Sequence, residues 1–428
     1  MKEFNDRLTT AGACFGLLIG SVTFLQAQSS DSPNTNRLEK LEKENQDLRQ
    51  RLDALETMAQ KEGLLPSNGK ADPPVSALSS IELSGFVTAS YFHDSTEPPA
   101  SNGHTSPGYL WNRVNDSFTL NKVKIILASP PVQNSGDKWD AAFRVSLIAG
   151  SDAPIVNTKA STIGFDYLRE AFVELNVPVG TGLNVRFGEL ISLLNYESGD
   201  GGAVNANFSQ GYQWFFTGNP PAAGIQLGYN ICDWLDVKFR VQNGLYAGPV
   251  DNNSSKTYMG SIGIHPNKCL WFNLLGFGGR EDAGFVQSLW GASLIGGWQP
   301  TDQLSFATEF DYFNFHNPDT FVPPGDSPVW SIGGWVTYDF TKKVGLALRG
   351  EYLDDKDGVD ASGGALGFQN PAGTGQKLAS VALTLNYKPV PRIKIQPEIR
   401  YDHTSFSGGF VDGKQNRLFY GAGISYLF

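Results

Sequence analysis

Cysteine is nearly absent from these 428 residues: Cys14, Cys232 and Cys269 are the only three. That count excludes a disulfide-stapled scaffold. Histidine is sparse too. His93, His104, His265, His316 and His403 are scattered, without metal-ligand spacing or a paired acid–base arrangement, so no metal, cofactor or catalytic residue is implied. Outside the N-terminus no run of about 18 apolar residues occurs, which excludes a helical membrane span. Positive charge is in deficit, with 33 basic against 43 acidic residues and a net charge of −10. That balance argues against nucleic acid as a partner.

Aromatics and glycine, by contrast, are plentiful: 28 Phe, 15 Tyr, 9 Trp and 48 Gly, in a chain of slightly negative mean hydropathy. Many aromatics without overall hydrophobicity suit a barrel with aromatic girdles and a polar interior. The segment Tyr420–Phe428 makes this concrete. Tyr420, Ala422, Ile424, Tyr426 and Phe428 share one face of a strand, and the residues between them are mainly small or polar. Such a strand faces lipid on one side and a wet lumen on the other. Tyr426 and Phe428 also resemble the terminal signal by which bacterial outer-membrane proteins are delivered for insertion.

The N-terminus reads as an export address. Lys2 and Arg7 precede a moderately apolar stretch from Ala11 to Leu25, then Gln26-Ala27. This pattern predicts a signal peptide over residues 1–27. Cys14 lies within it, with no trustworthy lipobox ahead of it. Leu38, Leu41, Asn45, Leu48, Leu52, Leu55 and Ala59 then recur at alternating spacings of three and four. That is a heptad seam, with Leu at each d position and Asn45 at an a position, and it predicts a periplasmic coiled coil over 36–62. Glu44 with Arg49, and Arg51 with Glu56, supply opposite charges across a parallel interface and support self-association. Asn45 at an a position suits a dimer and is tolerated in a trimer, so the seam leaves the number open. A homo-oligomer is expected, a trimer favoured. Residues 63–80, with Pro66, Pro73 and Pro74, read as a linker.

From Ile81 onward one unit repeats: about ten alternating residues, a boundary, then ten more. Sixteen strands are expected near 81–93, 117–128, 138–149, 166–176, 182–190, 222–231, 235–246, 257–265, 269–277, 288–298, 303–315, 329–340, 343–354, 378–388, 392–404 and 416–428. Their connections alternate between tight turns and long loops. The predicted fold is therefore all-β: a transmembrane antiparallel up-and-down barrel over 81–428, with both ends at the short-turn, periplasmic side.

Within the strands, charges gather on one face. Lys238 and Arg240 oppose Val237, Phe239 and Val241; Glu309 and Asp311 oppose Phe306, Phe310 and Tyr312; Arg349 and Glu351 oppose Leu346, Leu348 and Tyr352; Glu398 and Arg400 oppose Ile399 and Tyr401. A charge facing lipid at mid-membrane costs about 2–4 kcal/mol, so these residues, with Arg144 and Arg186, are expected to line a water-filled lumen. The longest connection, 191–221, can fold inward. Glu197 and Asp200 are then expected at a constriction, opposite Arg144, Arg186, Arg240 and Arg349, unless the loop caps the outer surface. Tyr212, Trp214 and Phe215 would offer stacking faces to a sugar.

Several short segments resemble a known group. They are Ser84-Gly85-Phe86-Val87, Arg169-Glu170-Ala171-Phe172-Val173-Glu174-Leu175, Phe187-Gly188, Asn195-Tyr196-Glu197, and Val241-Gln242-Asn243-Gly244 followed by Asp251-Asn252-Asn253-Ser254-Ser255-Lys256-Thr257. In order, over most of residues 81–428, they resemble the OmpL-like β-barrel porin family. The resemblance implies a pore in the bacterial outer membrane and names no solute.

Cys232 and Cys269 fall at the short-turn rim, two strands apart. Adjacent strands are about 4.8 Å apart, so the two thiols are expected to stay unbonded. Gly325-Asp326-Ser327, superficially a lipase-type serine, lies between Pro324 and Pro328 and reads as a turn in a loop. An outer-membrane phospholipase or protease is the enzyme alternative; the expectation is no enzyme. The reading reached from sequence is a porin passing small hydrophilic solutes and ions, its partners the lipid bilayer and those solutes. The alternatives are a solute-selective channel, for carbohydrate for example, and a tether to the cell wall through the coiled coil.

Overall fold

A computed structural model describes residues 81–428, apart from 110, 158–165, 247–249, 252, 282–285, 319–324 and 363–366, together with Lys43. The expected signal peptide, coiled coil (Lys43 aside) and linker lie outside the described residues. Alternating apolar and polar residues form sixteen strands among the described residues. They are β1 (Glu82–Asp94), β2 (Thr119–Ala128), β3 (Asp140–Ala149), β4 (Leu168–Val177), β5 (Leu183–Leu190), β6 (Ala222–Cys232), β7 (Leu235–Gln242), β8 (Thr257–Asn267), β9 (Leu270–Gly279), β10 (Val286–Trp298), β11 (Leu304–Pro318), β12 (Asp326–Asp339), β13 (Val344–Asp355), β14 (Gln376–Tyr387), β15 (Ile393–Thr404) and β16 (Asn416–Leu427).

Each strand pairs antiparallel with its chain neighbours, and β1 pairs with β16 to close the barrel. At the closure Val87 stands opposite Tyr426, and Gly85 and Phe428 exchange two backbone hydrogen bonds of 3.0 Å. Full closure leaves no unpaired strand, which is what a sheet in lipid requires. Polarity is inverted relative to a water-soluble core. On β13, Leu348 is exposed while its neighbour Arg349 is fully buried. The exposed apolar residues Phe187, Phe239, Trp290, Leu294, Val381, Ile399 and Ile424 continue that outward band around the wall. Aromatic pairs such as Trp298–Phe306 and Trp330–Tyr352, with centroids 5.4 and 5.3 Å apart, reinforce its two ends.

The barrel has a high and a low side. Strands β2 to β9 hold 8–11 residues each, whereas β10 to β16 hold 12–15. Two expectations need correction. The strand expected over 235–246 stops at Gln242, and Asp326 and Ser327 belong to β12 rather than to a loop. There Ser327 pairs with Phe315 in the ladder, as an ordinary strand residue.

Candidate functional site

The connection from β5 to β6, residues 191–221, turns into the barrel. Its backbone polar groups have left water and must find partners inside. The lumen wall supplies them from alternate strands of the high side, β11, β13 and β15. Glu309 accepts the Tyr196 amide at 2.8 Å, and Asp311 accepts from Gln213 Nε2 and Thr217 Oγ1, both at 2.8 Å. Glu351 accepts the Gln213 amide at 3.3 Å, and Glu398 accepts the amides of Phe208 and Ser209 at 2.8 and 3.1 Å. Lys394 donates to the carbonyls of Gly202 and Asn205.

Two glycines permit this close approach. A Cβ on Gly423 would lie 2.0 Å from the Phe208 ring, and one on Gly211 would lie 1.8 Å from Glu351 Oε1. Neither space exists.

Glu197 is buried against Arg349 at 2.9 Å and also accepts from Trp335 Nε1 and the Gly211 amide. Arg349 is further held by Glu351 at 3.1 Å and donates to the Ser209 carbonyl. Asp200 pairs with Lys124 at 2.7 Å, a residue sequence reasoning passed over. Both loop carboxylates are thus neutralised by nearby cations. They do not stand opposite Arg144, Arg186 and Arg240, as the sequence suggested. Arg144 pairs instead with Glu170 at 2.6 Å, Arg186 with Glu174 at 2.9 Å, and Arg240 donates to Gln226 Oε1 and the Ile191 carbonyl.

The expected lining divides into two sets. Arg349, Arg400, Glu309, Asp311, Glu351 and Glu398 point inward, but the loop covers them and they meet no open water. Arg144, Arg186 and Lys238 remain partly exposed.

Tyr212 is also corrected. It lies in a helical turn, Tyr212–Phe216, fully buried. Its ring stacks under the Arg400 guanidinium at 4.8 Å, and its hydroxyl accepts from Arg417 at 3.2 Å. Burial pushes that hydroxyl above the usual phenol range. Its ring therefore has no face free for a sugar. Trp214 and Phe215 are only partly buried. Cys232 and Cys269 are free and exposed. No group of three or more metal-ligating side chains occurs among the described residues.

Apolar side chains fill what the loop does not. At the long-loop end Phe277, Phe313, Phe315, Leu353 and Phe368 pack with Tyr212 and Phe216. A second cluster joins Phe92, Trp111, Ile148, Val156 and Phe208. The inward aromatics went unread in the sequence because they sit at lumen-parity positions reserved there for charge.

Among the described residues, two of the cavities on the low side bear on the route through the barrel. One, of about 360 Å³, is lined by Glu82, Arg144, Glu170, Glu174, Arg186 and Arg240. The other, of about 400 Å³, lies toward the long loops between the two clusters and is lined by Ile155, Arg169, Trp214, Phe215, Tyr246 and Asp360.

A closed sixteen-stranded barrel with an apolar outer band, a charged interior and one long loop folded inward is a membrane channel of the porin class. The chain belongs to the family described as "Putative beta-barrel porin-2, OmpL-like", whose model matches residues 80–428. It is accordingly an outer-membrane porin, a diffusion pore for small solutes.

No curated protein sequence matches the chain. Among solved structures it is similar to the anion-selective porin from Comamonas acidovorans, at 12% identity and a TM-score of 0.51, covering 82% of this chain and 99% of that one. It is also similar to Salmonella typhi OmpF in complex with daunomycin, at 10% identity and 0.51, covering 81% and 97%. The outer membrane channel DcaP of Acinetobacter baumannii matches at 14% identity and 0.50, covering 81% and 97%. At such identities the likeness concerns the fold alone.

Proposed function

We propose that this porin conducts along the low side of its barrel, past β3 to β7, and that the ion pairs under the inward loop are structural rather than pore-lining. The observation that carries this reading is the burial of Glu197 and Arg349 in one 2.9 Å pair, while Arg144 and Arg186 keep exposed guanidinium groups in an open cavity. Small hydrophilic solutes and ions are the cargo, and no catalytic step is part of the function. The buried state of Tyr212 weighs against a sugar-stacking slide. Planar-bilayer conductance of the refolded protein tests the reading. Stable open-channel steps are expected; a protein that folds and inserts but never conducts would overturn it.

The same proposal puts the short turns and the N-terminal segment in the periplasm, which the alternation of turn and loop lengths supports. It also includes a trimer. A strand of 8 residues at a tilt of about 40° rises only roughly 20 Å, short of the apolar band of about 25 Å that lipid requires. β5 and β7, with 8 residues each, thus suit contact with other copies better than contact with lipid. A coiled coil over 36–62 would add to that association. Deleting 36–62 and weighing the detergent-solubilised protein tests this: loss of trimers supports assembly, whereas intact trimers and a loosened envelope would support the wall tether.

A further inference from the structure

β4 carries a bulge. Ser146 faces Glu170 across the ladder, but the next residue of β3, Leu147, faces Leu168. Arg169 is thereby left over. A bulge sets two consecutive side chains where regular alternation would allow one. Arg169 and Glu170 are in fact both buried on the inner side. Arg169 lines the cavity toward the long loops, and Glu170 lines the cavity toward the short turns. The bulge stands between the two.

Charge along this side is asymmetric. Arg144 is 36% exposed against 5% for its partner Glu170, and Arg186 is 40% exposed against 7% for Glu174. Each pair turns its cation toward the water and its carboxylate into the wall. Lys238 repeats the arrangement with Asp236. Neither Arg169 nor Arg240 has a carboxylate within ion-pair distance among the described residues. Arg169 donates to the Val156 carbonyl, and Arg240 to carbonyl oxygens of Gln226 and Ile191.

Further carboxylates remain to be weighed, of which Asp200, whose charge acts on Arg169, is paired with Lys124. Glu82 is exposed at the short-turn mouth. Asp360 lines the cavity toward the long loops, where burial and the adjacent Asp355 push its carboxyl well above the usual range and so diminish its charge. Apolar clusters flank the gap on both sides, and low-dielectric walls concentrate the field of fixed charges.

We propose that the pore prefers anions, small carboxylate-bearing solutes among them, and that Arg169 at the β4 bulge, with Arg144 and Arg186 below it, is the selectivity element. This rests on the reading that conduction follows the low side. A passing anion meets the exposed guanidinium groups of Arg144 and Arg186 and, at the bulge, the cavity wall that Arg169 helps to line, while the partner carboxylates are the more buried member of each pair. Coulomb interaction falls with distance, so the nearer charge prevails.

Reversal potentials in planar bilayers under gradients of potassium chloride and potassium acetate test the proposal. The wild type is expected to favour the anion several-fold. Arg144→Gln with Arg186→Gln, both at partly exposed positions, should bring the preference close to unity. Asp200→Asn, which leaves Lys124 uncompensated, should hold the anion preference or raise it slightly. Open channels that favour potassium, or discriminate against neither ion, would overturn the anion preference and leave the porin reading standing. A strong shift in Asp200→Asn with none in the double arginine variant would return selectivity to the loop and overturn the proposal. Absence of channels would remove the porin reading and this proposal with it.

Discussion

Arg349 shows what individual side chains do inside this barrel. It sits between Glu197 and Glu351 with no exposed surface, and it also holds the Ser209 carbonyl. Removing one member of a buried ionic set leaves its partners charged and unpaired, at a cost of about 3–5 kcal/mol. Arg349→Ala is therefore expected to lower unfolding stability in urea by that order and to free the loop. Increased proteolysis within 191–221 would report the second effect; an unchanged urea midpoint would refute the first. Gly423→Ala works through shape alone. Its methyl group would enter the space of the Phe208 ring, and overpacking of this kind costs about 1–3 kcal/mol. A noisier single-channel trace, with a lower melting midpoint, is the expected signature. These contacts were beyond the reach of the sequence. Glu197 and Arg349 are 152 positions apart, and parity reports which face a side chain takes without saying which loop lies over it.

Strands were far more readable. Each is a local pattern of period two, enforced by lipid on one side, so all sixteen could be placed, with ends that moved by a few residues. Exceptions arose where local pattern stops governing. β7 ends at Gln242 although apolar residues continue to Leu245 and Tyr246, because those two side chains pack toward the inner cluster. The β4 bulge could not be read either, since one extra residue leaves both flanking segments in apparent alternation. The inward loop yields a prediction at this scale. Shortening it by removing residues 199–211 deletes the partners of Lys124, Lys394 and Glu398 together. Water can then solvate those charges, so the barrel should survive with a conductance several-fold larger. A smaller conductance would show that the segment props the pore open.

Across the whole molecule, the unequal heights of the wall determine its surroundings. Phe187 and Val173 are strongly exposed on the low side. If the proposed trimer covers them, Phe187→Glu should yield a folded monomer in its place, visible by light scattering in detergent. Retained trimers would place the interface elsewhere. Closure of the ring has a further consequence, for kinetics. Every strand pairing but one joins neighbours in the chain, so hairpins can zip from nearby residues with little loss of chain entropy. The exception is the meeting of β1 with β16, where Thr88 and Ser425 hydrogen-bond across 337 positions. Contacts of such separation form slowly, because the entropy of bringing distant segments together is lost before any bond repays it. Until that moment the nascent sheet carries two open edges, β1 and β16, each a template for pairing with another chain. How fast this one joint shuts therefore sets how long a newly exported copy remains prone to aggregate.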